Sequence, residues 1–242
     1  MKTHRIAFAL VLLVLGATAL AEDAVLIPIT PSTINGAFGT RWQTVLFVWN
    51  PSQSAAVLDC PPEACRDVPP ETEAMFQANG SGNAAFVHVP NGSENVQLAL
   101  RTFLTTADGS RTILELPVVP FSQFRNQIRI LGIPIGNGYR QSLRIYDANG
   151  HDGMQVRLQI FTAMSDPAVD GFVTLHTSPT PSDDGRIRPA YAEIHNILAT
   201  WPMLEFADVA TVLITPVDSD QKIWAFVSST SNVTQQINNF VP

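Results

Sequence analysis

Apolar and polar residues alternate with a period of two along much of this chain. The clearest run is Met154-Gln155-Val156-Arg157-Leu158-Gln159-Ile160. Its Met, Val, Leu and Ile side chains point one way and its Gln and Arg side chains the other, which predicts a strand buried on one face. Val96, Leu98 and Leu100 alternate with Gln97, Ala99 and Arg101, and Leu114, Leu116 and Val118 follow beyond Ala107-Asp108-Gly109. Leu143 and Ile145 alternate with Arg144 and Tyr146, and Asn149-Gly150 leads into the Met154 strand. Asp-Gly and Asn-Gly suit the positive φ angles of hairpin turns. Val173 and Leu175 mark a further short strand. Val209–Ile214 and Ile223–Val227 are apolar on both faces and predict the last two long strands. Helical spacing occurs with strength only at Ile194, Ile197, Leu198 and Trp201, and Pro202 ends that piece.

These patterns predict an all-β fold with at most one short helix. A weak internal repeat sets the expected domain count. Ile27-Pro28-Ile29 precedes Gln43-Thr44-Val45-Leu46-Phe47-Val48-Trp49-Asn50, and Ile133-Pro134-Ile135 precedes Gln141-Ser142-Leu143-Arg144-Ile145-Tyr146-Asp147. The two Ile-Pro-Ile sites are separated by about one immunoglobulin-like sandwich, ~100 residues. We therefore expect two tandem immunoglobulin-like β-sandwich domains, residues 22–122 and 123–242. The competing reading is one larger continuous sandwich. Composition agrees with many short strands joined by turns: 18 Pro, 14 Gly and only 14% charged residues.

Residues 1–21 read as a secretory signal peptide. Lys2, His4 and Arg5 precede the apolar run Ile6–Gly16, and Ala19-Leu20-Ala21 supplies small residues for cleavage between Ala21 and Glu22. The run is shorter than the ~20 residues of a membrane span. The expected product is secreted, periplasmic or extracellular, with no membrane anchor. The formal net charge is −7, and Lys222 is the only lysine beyond the signal. Such a field repels phosphate backbones, so nucleic acid is not an expected partner.

The opening Ile-Pro-Ile, the segment Arg41-Trp42-Gln43-Thr44 through Trp49-Asn50-Pro51, and the ending Ile223-Trp224-Ala225-Phe226-Val227 through Gln236 resemble repeats of uncharacterised bacterial secreted proteins. The resemblance covers both chain ends and loosely the middle. It implies a tandem immunoglobulin-like arrangement and carries no catalytic or ligand residue.

Candidate chemistry is sparse. Cys60 and Cys65 are the only cysteines. In an oxidising compartment they are expected to form a disulfide, closing a tight loop that contributes ~2 kcal/mol. Four intervening residues do not make a thioredoxin motif, and no second cysteine pair or adjacent His completes a zinc site. His88, His151, His176 and His195 stand singly, without metal-ligand spacing, and His88 and His176 are expected on strands opposite the apolar face. Asp147-Ala148-Asn149-Gly150-His151-Asp152-Gly153 hints at a calcium loop, but its glycine is out of phase and no closing Glu follows. It reads as a hairpin turn, and Asp183-Asp184-Gly185 reads likewise as a loop. No Gly-x-Ser-x-Gly elbow or phosphate-binding glycine loop occurs. Trp42, Trp49, Trp201 and Trp224 read as core or interface residues, with a sugar-stacking face as the alternative.

No catalytic residue, metal or cofactor is therefore expected. The leading expectation is a non-catalytic binding or structural protein at or beyond the cell envelope. Its protein or carbohydrate partner would contact the long loops Pro51–Asn83 and Ser178–Pro189. The alternatives are a secreted hydrolase acting on polysaccharide, and a strand-adding subunit of an envelope assembly that pairs Thr234–Pro242 in trans.

Overall fold

The computed structural model describes residues 24–29, 33–35, 39–58, 67–76, 84–89, 95–163, 166–177 and 188–242. The expected signal, its Ala21/Glu22 cleavage site, the Cys60–Cys65 pair and the Asp183-Asp184-Gly185 loop lie outside them. The first half holds β1 (Ala24–Ile27), β2 (Thr33–Asn35), β3 (Arg41–Asn50), β4 (Thr72–Phe76), β5 (Ala85–His88), β6 (Gln97–Thr105), β7 (Arg111–Leu116) and β8 (Val119–Pro120). The second holds β9 (Ile128–Pro134), β10 (Tyr139–Asp147), β11 (Gln155–Phe161), β12 (Val169–Thr174), β13 (His176–Thr177), β14 (Ala190–His195), α1 (Ile197–Thr200), β15 (Val209–Pro216), β16 (Ile223–Ser231) and β17 (Ile237–Phe240). The fold is all-β and antiparallel with one short α-helix, as the period-two alternation requires. Among the described residues no helix is long and apolar enough to cross a membrane.

Four sheets form. A small cap sheet has the order β5-β1-β8. A front sheet runs β3-β6-β7, with β2 and β4 both paired to the other edge of β3. A middle sheet has the order β13-β14-β10-β16-β17, and a back sheet the order β12-β11-β15-β9. Alternation assigns each strand its faces. Leu143 and Ile145 of β10, with Ile223, Ala225 and Val227 of β16, meet Val156, Leu158 and Ile160 of β11 in a core between middle and back sheets. Tyr146, Trp224 and Phe226 point the opposite way. They join Leu26, Leu46, Val48, Phe86, Leu100 and Leu116 in a second core that belongs mainly to the first half. The middle sheet is thus buried on both faces, which explains why Ile223–Val227 is apolar throughout.

The two halves repeat one pairing scheme. β1 pairs with β5 as β9 pairs with β15, and β3 lies between β4 and β6 as β10 lies between β14 and β16. β7 follows on β6 as β17 follows on β16. The sequence repeat sits at matching places: each Ile-Pro-Ile lies at the end of its half's first strand, and each central strand ends in a fully buried polar residue, Asn50 or Asp147. Among the described residues, the β11–β12 hairpin occurs in the second half only.

Several contacts join the halves. The Tyr146 hydroxyl, buried, donates to the Pro28 carbonyl at 2.8 Å, and its ring lies 6.0 Å from Trp224 and 6.4 Å from Phe226. Arg125, in the connection between halves, exchanges backbone hydrogen bonds of 2.9 and 2.7 Å with Ile223.

The helical expectation is met over one turn only. Ile194 belongs to β14, and Asn196 at φ 53 separates it from α1. After α1 the chain tightens into a 3-10 turn, Pro202–Phe206, with Pro202 at its start. Pro lacks the N–H that a longer α-helix would need there.

Candidate functional site

Tyr146, Trp224 and Phe226 of the middle sheet pack into the first core, and between the front and middle sheets lies a cleft of about 410 Å³. Its front wall comes from the inward faces of β3, β6 and β7: Trp42, Thr44, Thr102, Leu114 and Leu116. Thr44 and Thr102 are register partners, and their hydroxyls bond to one another at 3.0 Å. Ile29 closes one side. The opposite wall is the first-half-facing side of the middle sheet: Ser142 and Arg144 on β10, Glu193 and His195 on β14, Phe226, Ser228 and Thr230 on β16, and Ile237 on β17. A smaller hollow of about 160 Å³ shares Trp42 and Thr230 and adds Leu104, Arg140 and Gln235. Arg140 donates to Gln235 Oε1 at 2.8 Å there.

The polar centre of the cleft is an ion pair between neighbouring strands. Arg144 and Glu193 are directly paired in register. Arg144 donates from Nε at 2.8 Å and from Nη2 at 2.6 Å, both to Glu193 Oε1. Ser142 Oγ also donates to Oε1 at 3.3 Å, and His195 Nδ1 lies 3.4 Å from it. All four of these contacts converge on Oε1. The two side chains are only 18% and 19% exposed, so the pair is stronger than a surface pair and costly to break. Burial opposes the charge of Arg144, but Tyr146 and Glu193 hold its pKa above the ordinary value.

This geometry arranges groups for holding a molecule. The carboxylate is the hub: Ser142 and His195 both approach Glu193, whereas a serine nucleophile needs its hydroxyl on the imidazole. Glu193 is the only carboxylate lining the cleft among the described residues, and glycoside hydrolysis in its usual form uses two.

The residues singled out in the sequence fall in different places. His88 ends β5, and His176 lies on β13, 3.5 Å from Asp152. His151 and Asp147 pair at 3.2 Å, while the His151 backbone N–H donates to Asp147 Oδ2 at 2.7 Å. Asp152 Oδ1 instead accepts from the Thr177 N–H at 2.9 Å, tying the turn to β13. Asp147 and Asp152 thus serve separate local bonds, and Gly150 and Gly153 take the positive φ values of the turn. Among the described residues no group of three His, Cys, Asp or Glu side chains is placed to hold a metal.

The tryptophans divide. Trp224 is core at 2% exposure, and Trp201 packs against the second-half core. Trp42 is half-buried in the cleft between the two halves, within the reading of core or interface, whereas Trp49 is exposed on the outer face of the front sheet, where that reading is corrected. Both lie on β3, two of whose outward positions, Phe47 and Trp49, are aromatic like core residues, so composition does not separate the faces. Ser142, Arg144 and Glu193 went unnoticed because polar residues alternating along a strand read as solvent-facing. Comparison of the chain with models of protein families, with curated proteins and with solved structures gave no match.

Proposed function

We propose that the protein is an exported, non-catalytic binding protein that holds a short saccharide in the cleft between the front and middle sheets. The observation that carries this reading is the two-sided character of the cleft. Trp42 and Leu114 offer apolar surface to the C–H face of a sugar ring, in the manner of aromatic stacking. Across from them, the Glu193 carboxylate stands beside the Arg144 guanidinium, with the hydroxyls of Ser228 and Thr230 nearby. A fixed acceptor next to fixed donors matches adjacent sugar hydroxyls, each of which donates and accepts. The volume suits one or two sugar units, within the roughly 300–1,000 Å³ of small-ligand sites.

Export through the signal at residues 1–21, immunoglobulin-like tandem sandwiches and a Cys60–Cys65 disulfide belong to the same reading. That Glu193 is the one carboxylate lining the cleft among the described residues favours binding over polysaccharide hydrolysis. Strand donation in trans is disfavoured because Ile237–Phe240 already pairs with β16 within the chain.

Isothermal titration with a panel of neutral di- and trisaccharides tests the proposal. At least one sugar should bind, and Trp42→Ala and Glu193→Gln should each weaken it by about tenfold or more, ~1.4 kcal/mol. Binding by no member of the panel, or equal binding by both variants, would remove the cleft from consideration.

A further inference from the structure

Among the described residues no other element packs on the face of the front sheet turned away from the cleft, yet that face is built like an interface. Val45, Phe47 and Trp49 of β3, Phe103 of β6, Ile113 of β7 and Met75 of β4 all point outward by alternation. Met75 is 70% exposed, Ile113 60% and Trp49 40%. Phe47 and Phe103 lie 6.3 Å apart, with the Arg101 guanidinium 5.4 Å from the Phe47 ring centre. A monomeric surface rarely gathers this many large apolar side chains on one sheet face.

The repeat says what such a face does. Trp49 precedes the buried Asn50 on β3 as Tyr146 precedes the buried Asp147 on β10. The outer face of the front sheet therefore corresponds to the side of the middle sheet that carries Tyr146, Trp224 and Phe226. In the second half that side is buried against a neighbouring unit. In the first half it is open.

We infer that this face is a self-association surface through which two copies of the chain pair front sheet to front sheet. Three features choose a second copy. The face holds both a hollow and knobs: a groove of about 390 Å³ bordered by Phe47, Met75, Phe103 and Arg111 lies beside the protruding Ile113 and Trp49. Under a two-fold axis each copy's knob meets the other's hollow, which is the self-complementarity an isologous dimer requires. The charges are also mixed. Arg41, Arg101 and Arg111 stand with Glu73 and Glu115 on this face, whereas the whole chain carries −7. Two acidic molecules therefore meet here on the part of their surface that is not acidic and that offers both signs of charge for pairing. Finally, twisted sheets pack face to face with their strands roughly aligned, and aromatic side chains fill such a contact well.

Sedimentation velocity over roughly a hundredfold range of concentration, reaching about 100 µM, tests the inference. The wild-type chain should shift from monomer to dimer. Met75→Glu with Ile113→Glu should remain monomeric, with an unchanged circular-dichroism spectrum and melt, because both side chains are largely exposed in the monomer. Should the double variant fail to fold, Ile113→Glu alone serves, with dimerisation weakened by about tenfold or more. A wild-type chain that stays monomeric throughout, or a folded variant that dimerises as strongly as wild type, would overturn the assignment.

Discussion

The two halves of the molecule use one pairing scheme and solve the burial problem differently. In the second half, the back sheet covers the middle sheet with full-length strands, and the core between them is drawn from that half alone. In the first half, the described residues between β3 and β4 hold no strand of the β11–β12 kind. They fold back through one bridge, Ala56 to Val68, and sink Ala56, Leu58 and Val68 into the core. The cap sheet is left with three strands of at most four residues. It is too short to cover the front sheet, and the middle sheet supplies the rest through Tyr146, Trp224 and Phe226. The lesson is that a small sheet in one repeat can be supplemented by the outer face of the next, and the cleft lies between the front sheet and that same face.

The largest test of this difference is Phe226→Ala. It removes a ring shared by both halves, and a loss of ~3–5 kcal/mol is expected from truncating a buried aromatic. Urea unfolding should remain a single transition, with tryptophan fluorescence and circular dichroism coincident, since a shared core couples the halves. Two separated transitions in the wild type would break the comparison.

Tyr146→Phe is expected to cost less, about 1–3 kcal/mol, by leaving the buried Pro28 carbonyl without its donor. It also carries a pH signature. Burial raises the Tyr146 pKa well above its ordinary 10.0, with Arg144 opposing the shift. Burial likewise raises that of Tyr191, whose ring stacks on it. The folded chain therefore keeps protons that the unfolded chain releases above pH ~10, so stability is fully present below that pH and falls as pH rises beyond it. Urea melts at neutral pH and at pH ~11 should show this loss in the wild type and a smaller loss in Tyr146→Phe. An identical alkaline loss in both would place its source elsewhere.

The smallest effect belongs to the outer face of the back sheet. Arg157 donates to both Asp170 oxygens at 2.8 and 2.6 Å. Hydrogen bonding from Arg157 is the main reason the Asp170 pKa is lowered. The side chains are 51% and 37% exposed, and solvent screens such a pair. Asp170→Ala should leave the melting temperature essentially unchanged. A drop comparable to that of Phe226→Ala would mean that this face is not the free surface described.

Much of the fold was legible because a half-buried strand announces itself by alternation. Met154–Ile160 points Met154, Val156, Leu158 and Ile160 inward as read, and Gly109 and Gly150 take the positive φ of the expected turns. The Ile-Pro-Ile repeat marked matching strands in both halves. The cleft was not legible. Arg144 and Ser142 alternate with buried Leu143 and Ile145 just as surface residues would, and only the docking of one half on the other turns that face inward. The apolar outer face of β3 is the converse case: Phe47 and Trp49 alternate out of phase with the buried Leu46 and Val48 and remain accessible. Alternation assigns two faces to a strand but does not say what lies beyond each.

The central claim is that the first half depends on the middle sheet for its core while the second half does not. Expressing residues 24–124 and 125–242 separately, and melting each by circular dichroism, tests it directly. The account predicts a cooperative melt for 125–242. It predicts none for 24–124, whose core lacks Tyr146, Trp224 and Phe226. A cooperative melt of the isolated first half near that of the full chain would contradict the claim.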